Sequence, residues 1–294
     1  MKRYCLYLFI LIGISCSAEL KAQKNGTVYK GNDPAVRYTG RTLVSSDGSV
    51  AFDWVGTYLE TRFTGGKLSV KVSETGTSYY NVFVDGKLHK VVKVCGTDTL
   101  IHLVSGIDKR IHSLKIQKRS EGEFGKTTVH QFVLSGSGRL AEELAVRTRH
   151  IEFIGNSLTC GYGTDGKHRD EPFLVETENC NLTFASMVAR YYDADYTLIA
   201  HSGRGAARNY GDSVRVSKVT MKDRMLNTFD EDLTHKWNFK EYRPDLVVIN
   251  LGSNDFSTEP HPYKSEFTKA YKQILAQLRE HYGDIPILCI YPVA

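Results

Sequence analysis

The sequence predicts an α/β protein in two parts, an N-terminal antiparallel β-sandwich (jelly roll) followed by a doubly wound parallel-sheet α/β domain. Three observations predict it. Between residue 36 and about residue 140, apolar and polar residues alternate in short runs broken by glycine-bearing turns, the period of half-buried strands. From Arg147 onward, short apolar runs alternate with helical stretches, as in a parallel sheet covered on both faces. Polar, glycine-containing clusters follow three of those runs directly, where open α/β sheets place their ligands.

Composition sets the outer bounds. A chain of 294 residues is long enough for one large or two ordinary domains, and 41% hydrophobic with 24% charged residues is ordinary globular composition. The formal charge of +5 comes from 38 basic and 33 acidic residues mixed along the chain. No Lys/Arg block of the kind that neutralises phosphates occurs, which argues against a nucleic-acid partner.

Lys2 and Arg3 precede an apolar run, Tyr4 to Ile14, which passes into the small residues Gly13, Ser15, Ser17 and Ala18. A helix crossing a bilayer needs about 20 apolar residues, so this run is too short to span one. The pattern predicts a secretory signal peptide over residues 1–22, cut after Ala22, and export to the periplasm or medium. A lipoprotein anchored at Cys16 is the competing reading, weakened by Gly13 where such boxes carry Leu. Nothing after residue 22 is long and apolar enough for a membrane helix. Beyond the leader stand Cys95, Cys160, Cys180 and Cys289. They lack the Cys-x-x-Cys spacing of a structural zinc site, and either a Cys160–Cys180 disulfide or four free thiols fits their placement.

In the sandwich, residues 24–140, alternation marks strands at Tyr58–Phe63, Leu68–Val72, Asn81–Asp85, Leu88–Val94, Ile111–Ile116 and Val129–Leu134. Asp47-Gly48, Gly65-Gly66 and Asp85-Gly86 are the predicted tight turns. The segment 135–148 is the domain boundary, too short and mixed for a long flexible linker, so the sandwich is expected to pack on the second domain. In residues 148–294 the strands are Ile151–Ile154, Tyr196–Ala200, Leu246–Leu251 and Ile285–Ile290. One helix is capped by Asn181 and runs to about Tyr192, with Leu182, Ala185, Val188 and Ala189 or Tyr192 inward. A second covers about Tyr263 to Tyr282, with Phe267, Tyr271, Ile274, Leu275 and Leu278 as its stripe.

Three loops carry chemistry. Gly155-Asn156-Ser157 follows the first apolar strand, so the Ser157 hydroxyl and backbone N–H project from the sheet's carboxyl edge. The second loop, His201-Ser202-Gly203-Arg204-Gly205, lets the backbone approach a bound group closely; Gly-x-Gly-x-x-Gly does not occur there, which excludes a dinucleotide fingerprint. In the third, Gly252-Ser253-Asn254-Asp255, Asn254 offers an amide donor. Singly, each reads equally well as a turn or helix cap.

Together the three blocks resemble the SGNH (GDSL-like) hydrolases. The runs Ile151–Gly163, Ser202–Tyr210 and Val247–Phe256, with the preceding jelly roll, are similar to the family 2 carbohydrate esterases over nearly all of residues 36–294. The resemblance implies that Ser157 is the nucleophile. The N–H groups of Ser157 and Gly203 and the side chain of Asn254 would hold the oxyanion, with Gly205 as the reserve for the middle donor. It implies removal of acetyl groups from plant polysaccharides such as xylan or mannan, with an acetylated polysaccharide or oligosaccharide as partner; the residues themselves show no ligand pattern for a metal, nucleotide or redox cofactor, so none is expected. Two departures stand out. Asn156 replaces the family's usual Asp, a loop brace rather than the base. The family's catalytic His lies in a block beyond the strand Ile285–Ile290, and the sequence stops at Ala294, so an incomplete α/β domain is expected. His168, His201 and His261 match no base position and are not assigned. The alternative that follows is a non-catalytic, carbohydrate-binding homologue.

Overall fold

The computed structural model describes residues 26–141 and 146–290. The predicted leader, Cys16, and part of the predicted boundary segment (142–145) lie outside these residues. Among the described residues no helix is long and apolar enough to cross a membrane.

The first half is an antiparallel sandwich of β1 (Gly26–Lys30), β2 (Val36–Thr39), β3 (Leu43–Val44), β4 (Val50–Phe52), β5 (Tyr58–Val84), β6 (Lys87–Lys118), β7 (Thr127–Ser135) and β8 (Leu140–Ala141). The strands expected from alternation are present, but most of them are segments of two long ribbons, β5 and β6. Tyr58–Thr64 pairs with 111–117, Leu68–Val72 with 99–104, and Ser78–Val84 with 87–94. Gly65-Gly66 is therefore not a hairpin turn. Gly66, at φ 92°, sits at a register shift within β5, where a side chain would strike the Ser135 carbonyl at 2.5 Å. A bulge there bends the ribbon around the core. Asp85-Gly86 (φ 50° and 75°) does make the two-residue hairpin expected of it. Inward residues such as Phe63, Leu68, Val82, Leu103 and Phe132 are essentially fully buried and form one apolar core.

The second half contains a four-stranded parallel sheet in the order β10 (Asp195–Ala200), β9 (His150–Gly155), β11 (Leu246–Ile249), β12 (Ile287–Cys289). Helix α2 (Phe184–Tyr191) packs on one face of the sheet, and α4 (Lys264–Tyr282) on the other; the short helices α1 (Ser157–Cys160) and α3 (Met221–Arg224) lie in the connections. Helices on both faces make the fold doubly wound. The stripe of α4 falls as expected, with Ile274 and Leu278 buried and Phe267, Tyr271 and Leu275 packed beside them.

Helix α2 departs from expectation. It starts at Phe184 behind Thr183, because 180–182 forms a separate 3₁₀ turn whose N-cap is Asn179. Asn181 instead accepts a hydrogen bond from Arg190 Nη1 at 2.8 Å. The phase break leaves Leu182, Val188 and Tyr192 exposed and turns Ala185, Ser186 and Ala189 inward. Cys160 and Cys180 are buried but free, so the candidate disulfide is not formed; Cys95 and Cys289 are free and exposed.

The two halves share their interior. Trp54 is fully buried in the α4-side core, while Val55 and Tyr58 belong to the α2-side core. Polar contacts join them as well. Tyr58 OH donates to Asp195 at 2.7 Å and Gln117 Nε2 to Tyr196 OH at 2.6 Å. Buried Arg41 donates to the Met225 and Asn227 carbonyls at 2.6 and 2.8 Å and lies 3.5 Å from Glu152.

Candidate active site

The three predicted loops meet at the carboxyl ends of β9, β10 and β11. Gly155 and Ala200 are register partners, His201 N–H donates to the Gly155 carbonyl at 3.4 Å, and Asn250 N–H donates to the Ile154 carbonyl at 2.8 Å. The end of β9 is thus bracketed by the two neighbouring loops.

Ser157 is the first residue of α1, and Asn156 caps it by accepting from Leu158 N–H at 3.2 Å. The Asn156 amide donates to Ser253 Oγ at 2.9 Å, tying the first loop to the third. A side chain at Gly155 would lie 2.0 Å from Thr159 Oγ1, so the tight strand-to-helix turn requires glycine. Ser157 is half-buried. Among the described residues, no acceptor meets its N–H and no group hydrogen-bonds to its Oγ.

In the second loop the two glycines differ. Gly203, in the left-handed region at φ 72°, accepts from Tyr210 N–H at 2.8 Å, and its own N–H has no acceptor among the described residues. The N–H of Gly205 points to Asn209 Oδ1 at 3.4 Å, and a side chain there would lie 2.0 Å from the Arg208 carbonyl and 2.4 Å from Asp255 Oδ2. Gly205 is a packing glycine. The buried Asp255 carboxylate receives the N–H groups of Ala206, Ala207 and Arg208 at 3.0, 2.7 and 2.9 Å. Burial raises its pKa against the opposing pull of those donors. Next to it, Asn254 donates one amide hydrogen to the Arg204 carbonyl at 2.8 Å and keeps the second. The loops therefore bring Ser157, Gly203 and Asn254 to one edge of the sheet, with Asp255 fastening the second loop to the third.

The histidines divide. His201 is buried, with Nδ1 2.7 Å from Asp230 and Nε2 3.6 Å from Glu123. Burial works against its positive form, but the charge and hydrogen bond of Asp230 outweigh it and raise the pKa. Its ring is committed to carboxylates from both halves. His168 is exposed, and His261 lies beside Glu259 at 3.4 Å, with its ring against Phe256.

Under the second loop lie residues that sequence reasoning missed. Glu121 accepts from the N–H and hydroxyl of Ser202, and Glu121 N–H donates to Glu178 at 3.0 Å. Asp53 accepts from Asp230 N–H at 2.8 Å. The groups Glu121/Cys160/Glu178 and His201/Asp230/Glu231 each bring three possible metal-ligand atoms within 4.8 Å of one another. The second group already holds the Arg224 guanidinium, 3.0 Å from Asp230 and 2.8 Å from Glu231. These partners come from distant segments, so no spacing rule links them.

Comparison with known proteins supplies the family. The family model described as "Carbohydrate esterase 2 N-terminal" matches residues 38–143, and the "GDSL-like Lipase/Acylhydrolase family" matches residues 153–294. A cellulase/esterase, CelE, of Acetivibrio thermocellus is 34% identical over 258 residues, covering 88% of this chain and 31% of that protein. An acetylxylan esterase / glucomannan deacetylase of Cellvibrio japonicus is 33% identical over 228 residues, covering 74% of this chain and 61% of that protein. This chain thus spans about a third and about three-fifths of those relatives' lengths. The structure of a family two carbohydrate esterase from Clostridium thermocellum in complex with cellohexaose aligns at a TM-score of 0.82 and 34% identity, covering 87% of this chain and 77% of that one. The chain belongs to the family 2 carbohydrate esterases.

Proposed function

We propose that this family 2 carbohydrate esterase is exported and removes acetyl groups from plant polysaccharides, xylan or mannan, through an acyl-enzyme on Ser157. The observation that carries the reading is the pair of N–H groups, Ser157 and Gly203, left without acceptors beside the spare Asn254 amide hydrogen at one sheet edge. Such donors are aimed at charge that does not yet exist. In the reaction Ser157 Oγ attacks the ester carbonyl, its proton passes to a base, and the carbonyl oxygen gathers negative charge between the three donors. Collapse expels the sugar oxygen, which takes that proton back from the base and leaves as a hydroxyl; water then gives a proton to the same base as it attacks, and acetate departs as Ser157 recovers the proton. One oxyanion donor of this kind contributes about 2.7–4 kcal/mol to lowering the barrier. Gly203 rather than Gly205 is the middle donor, since the Gly205 N–H already faces Asn209. By the family pattern the base is a histidine in the block after β12, and His201, engaged with Asp230, is not that base.

Support for a sugar substrate comes from the rim. Tyr162 and Tyr210 are both largely exposed, and their backbone N–H groups are hydrogen-bonded to the carbonyls of Ser157 and Gly203. The first and second loops thus each carry an exposed aromatic residue; Tyr162 has one face stacked on Phe173 at 3.7 Å and offers the other to a pyranose ring.

The test is acetate release from p-nitrophenyl acetate, acetylated xylan and acetylated glucomannan, with Ser157→Ala as control. In a protein that carries the histidine block after β12, the expected result is Ser157-dependent release with polymer preferred over acetylated monosaccharide; residues 1–294 alone should release acetate at least about a hundredfold more slowly. Polysaccharide binding without Ser157-dependent hydrolysis would establish the non-catalytic homologue instead. In a protein that carries the base, Asn254→Ala should lower kcat by about 10²–10³ with KM nearly unchanged, because the donor acts in the transition state.

A further inference from the structure

We propose that Glu121 and Glu178 share a single proton in the interior and that this acid pair positions the Ser202–Gly203 turn against the end of the nucleophile helix. The proposal rests on the esterase reading for its catalytic consequence and on geometry for the pair itself. Glu121 belongs to the sandwich, yet it holds the second loop of the α/β domain. Its two carboxylate oxygens receive the Ser202 hydroxyl and, at 2.5 Å, the Ser202 N–H. A carboxyl group that accepts two donors in this way is the ionised member. Its backbone N–H donates to Glu178 Oε2 at 3.0 Å.

The other oxygen, Glu178 Oε1, is buried and meets no donor among the described residues. A bare carboxylate oxygen in that position would be costly, whereas one that carries the proton is a donor, and a Glu121 carboxylate oxygen lies within 4.8 Å of the Glu178 carboxyl. Cys160, the last residue of the helix that Ser157 begins, closes the group, with its ligand atom and those of both glutamates within 4.8 Å of one another. The cluster therefore touches the nucleophile helix, the turn that carries Gly203, and the sandwich at once.

The cations near the pair favour a second negative charge, and burial with the Glu121 carboxylate opposes them. From the sandwich, buried Lys118 donates to the Ser120 and Glu121 carbonyls and to Ser78 Oγ, and Arg119 Nε donates to the Glu178 carbonyl at 2.6 Å. Glu123 adds like charge from the same side and, with Asp230, faces His201. From the α/β half, the Cys160 thiol and the Tyr162 phenol are raised by burial first and by the charge of Glu121 after it. Burial and the Glu121 carboxylate push Glu178 up to about 11. The sign of the linkage follows. An unfolded glutamate releases its proton near 4.5 and the folded one near 11, so this group's contribution to stability falls as pH rises between those values.

The experiment compares Glu178→Gln, Glu178→Ala and Glu121→Gln with the unaltered protein, reading esterase kinetics and thermal unfolding from pH 7 to 9. Glu178→Gln keeps a donor where the carboxylic acid had its O–H. It should rescue kcat to within about twofold and unfold with a flatter pH dependence than the parent, whereas Glu178→Ala should not rescue. Glu121→Gln puts an N–H₂ donor against Ser202 and should lower kcat by about tenfold or more with little change in KM. Equal kinetic losses in both Gln variants, or unfolding curves of parent and Glu178→Gln with the same pH slope, would overturn the shared proton. The unfolding data decide the pair even if Ser157→Ala shows no hydrolysis to be lost, so failure of the esterase reading stays separate.

Discussion

The two halves of the molecule bury their interiors differently. The sandwich closes on itself, with β5, β6 and β7 surrounding a core built entirely from its own strands. The α/β half does not close on itself. Its α4-side core contains Trp54 and its α2-side core Val55 and Tyr58, all from the segment that runs from β4 into the start of β5. Its buried Glu152 is matched by Arg41, and the amide of its Asp230 is matched by Asp53. The sandwich is thus part of the interior of the domain that carries Ser157, and the difference predicts an asymmetric dependence between the halves.

The harshest way to break this comparison is to separate the halves. Residues 26–141 alone should give a cooperative unfolding transition, while the remainder alone should give none, since it would expose two cores that Trp54, Val55 and Tyr58 now fill. Calorimetry on the two fragments checks this, and two independent transitions of normal enthalpy would refute the asymmetry.

Substitutions at the seam come next. Among the described residues, Arg41→Ala leaves Glu152 buried with the hydroxyls of Tyr242 and Tyr282 as its donors, at 2.5 and 3.0 Å. Breaking a buried pair in this way costs about 3–5 kcal/mol. The double variant Arg41→Met/Glu152→Leu should recover most of it, and denaturant titration of the three proteins measures the difference. Trp54→Ala should cost about 3–5 kcal/mol as well. Hydrogen exchange then sharpens the point: protection should fall more in β9–β11 than in β5–β7, although Trp54 belongs to the N-terminal half.

A smaller effect is set by pH. Burial, and then the charge of Asp230, raise Asp53 to about 7 from an ordinary value near 3.8. The folded protein therefore holds a proton that the unfolded chain has lost, and this group's stabilisation declines as pH rises from about 4 to 7. Asp53→Asn should flatten the stability profile across that window. Glu178 contributes a slope of the same sign, so the difference between parent and variant curves is the quantity to read.

The mildest change stays wholly inside the α/β half. Asn156→Asp keeps the acceptor that caps Leu158 and can accept from Ser253 Oγ instead of donating to it. Stability should move by no more than about 1 kcal/mol and kcat should change little, because one hydrogen bond is exchanged for another. A loss as large as that expected for Arg41→Ala would mean that the loop brace, not the seam between the halves, governs this region.

Much of this was legible in the residues. Strand alternation, the Asp85-Gly86 hairpin, the apolar strands around Ile151 and Leu246, and the stripe of α4 follow from backbone geometry and periodicity, which act over a few residues. The placement of Ser157, Gly203 and Asn254 at one sheet edge was also legible, because strand ends are brought together by topology and their loops are short. What failed was local only in appearance. Gly65-Gly66 carries a turn signature but serves a bulge, since the approach of the Ser135 carbonyl decides its geometry. Asn181 has cap chemistry, but the turn begun by Asn179 takes precedence.

The sequence by itself determined the two fold classes, their order and the loops that reach the sheet edge, since each rests on patterns written in consecutive residues. Tertiary structure alone decided how the halves interlock, which of the two glycines keeps a free N–H, and which acids share the interior. Glu121 meets Glu178 across 57 residues, and Asp53 meets Asp230 across 177. Their chemistry arises from burial and from the electrostatics of close approach, and neither quantity exists until the chain has folded.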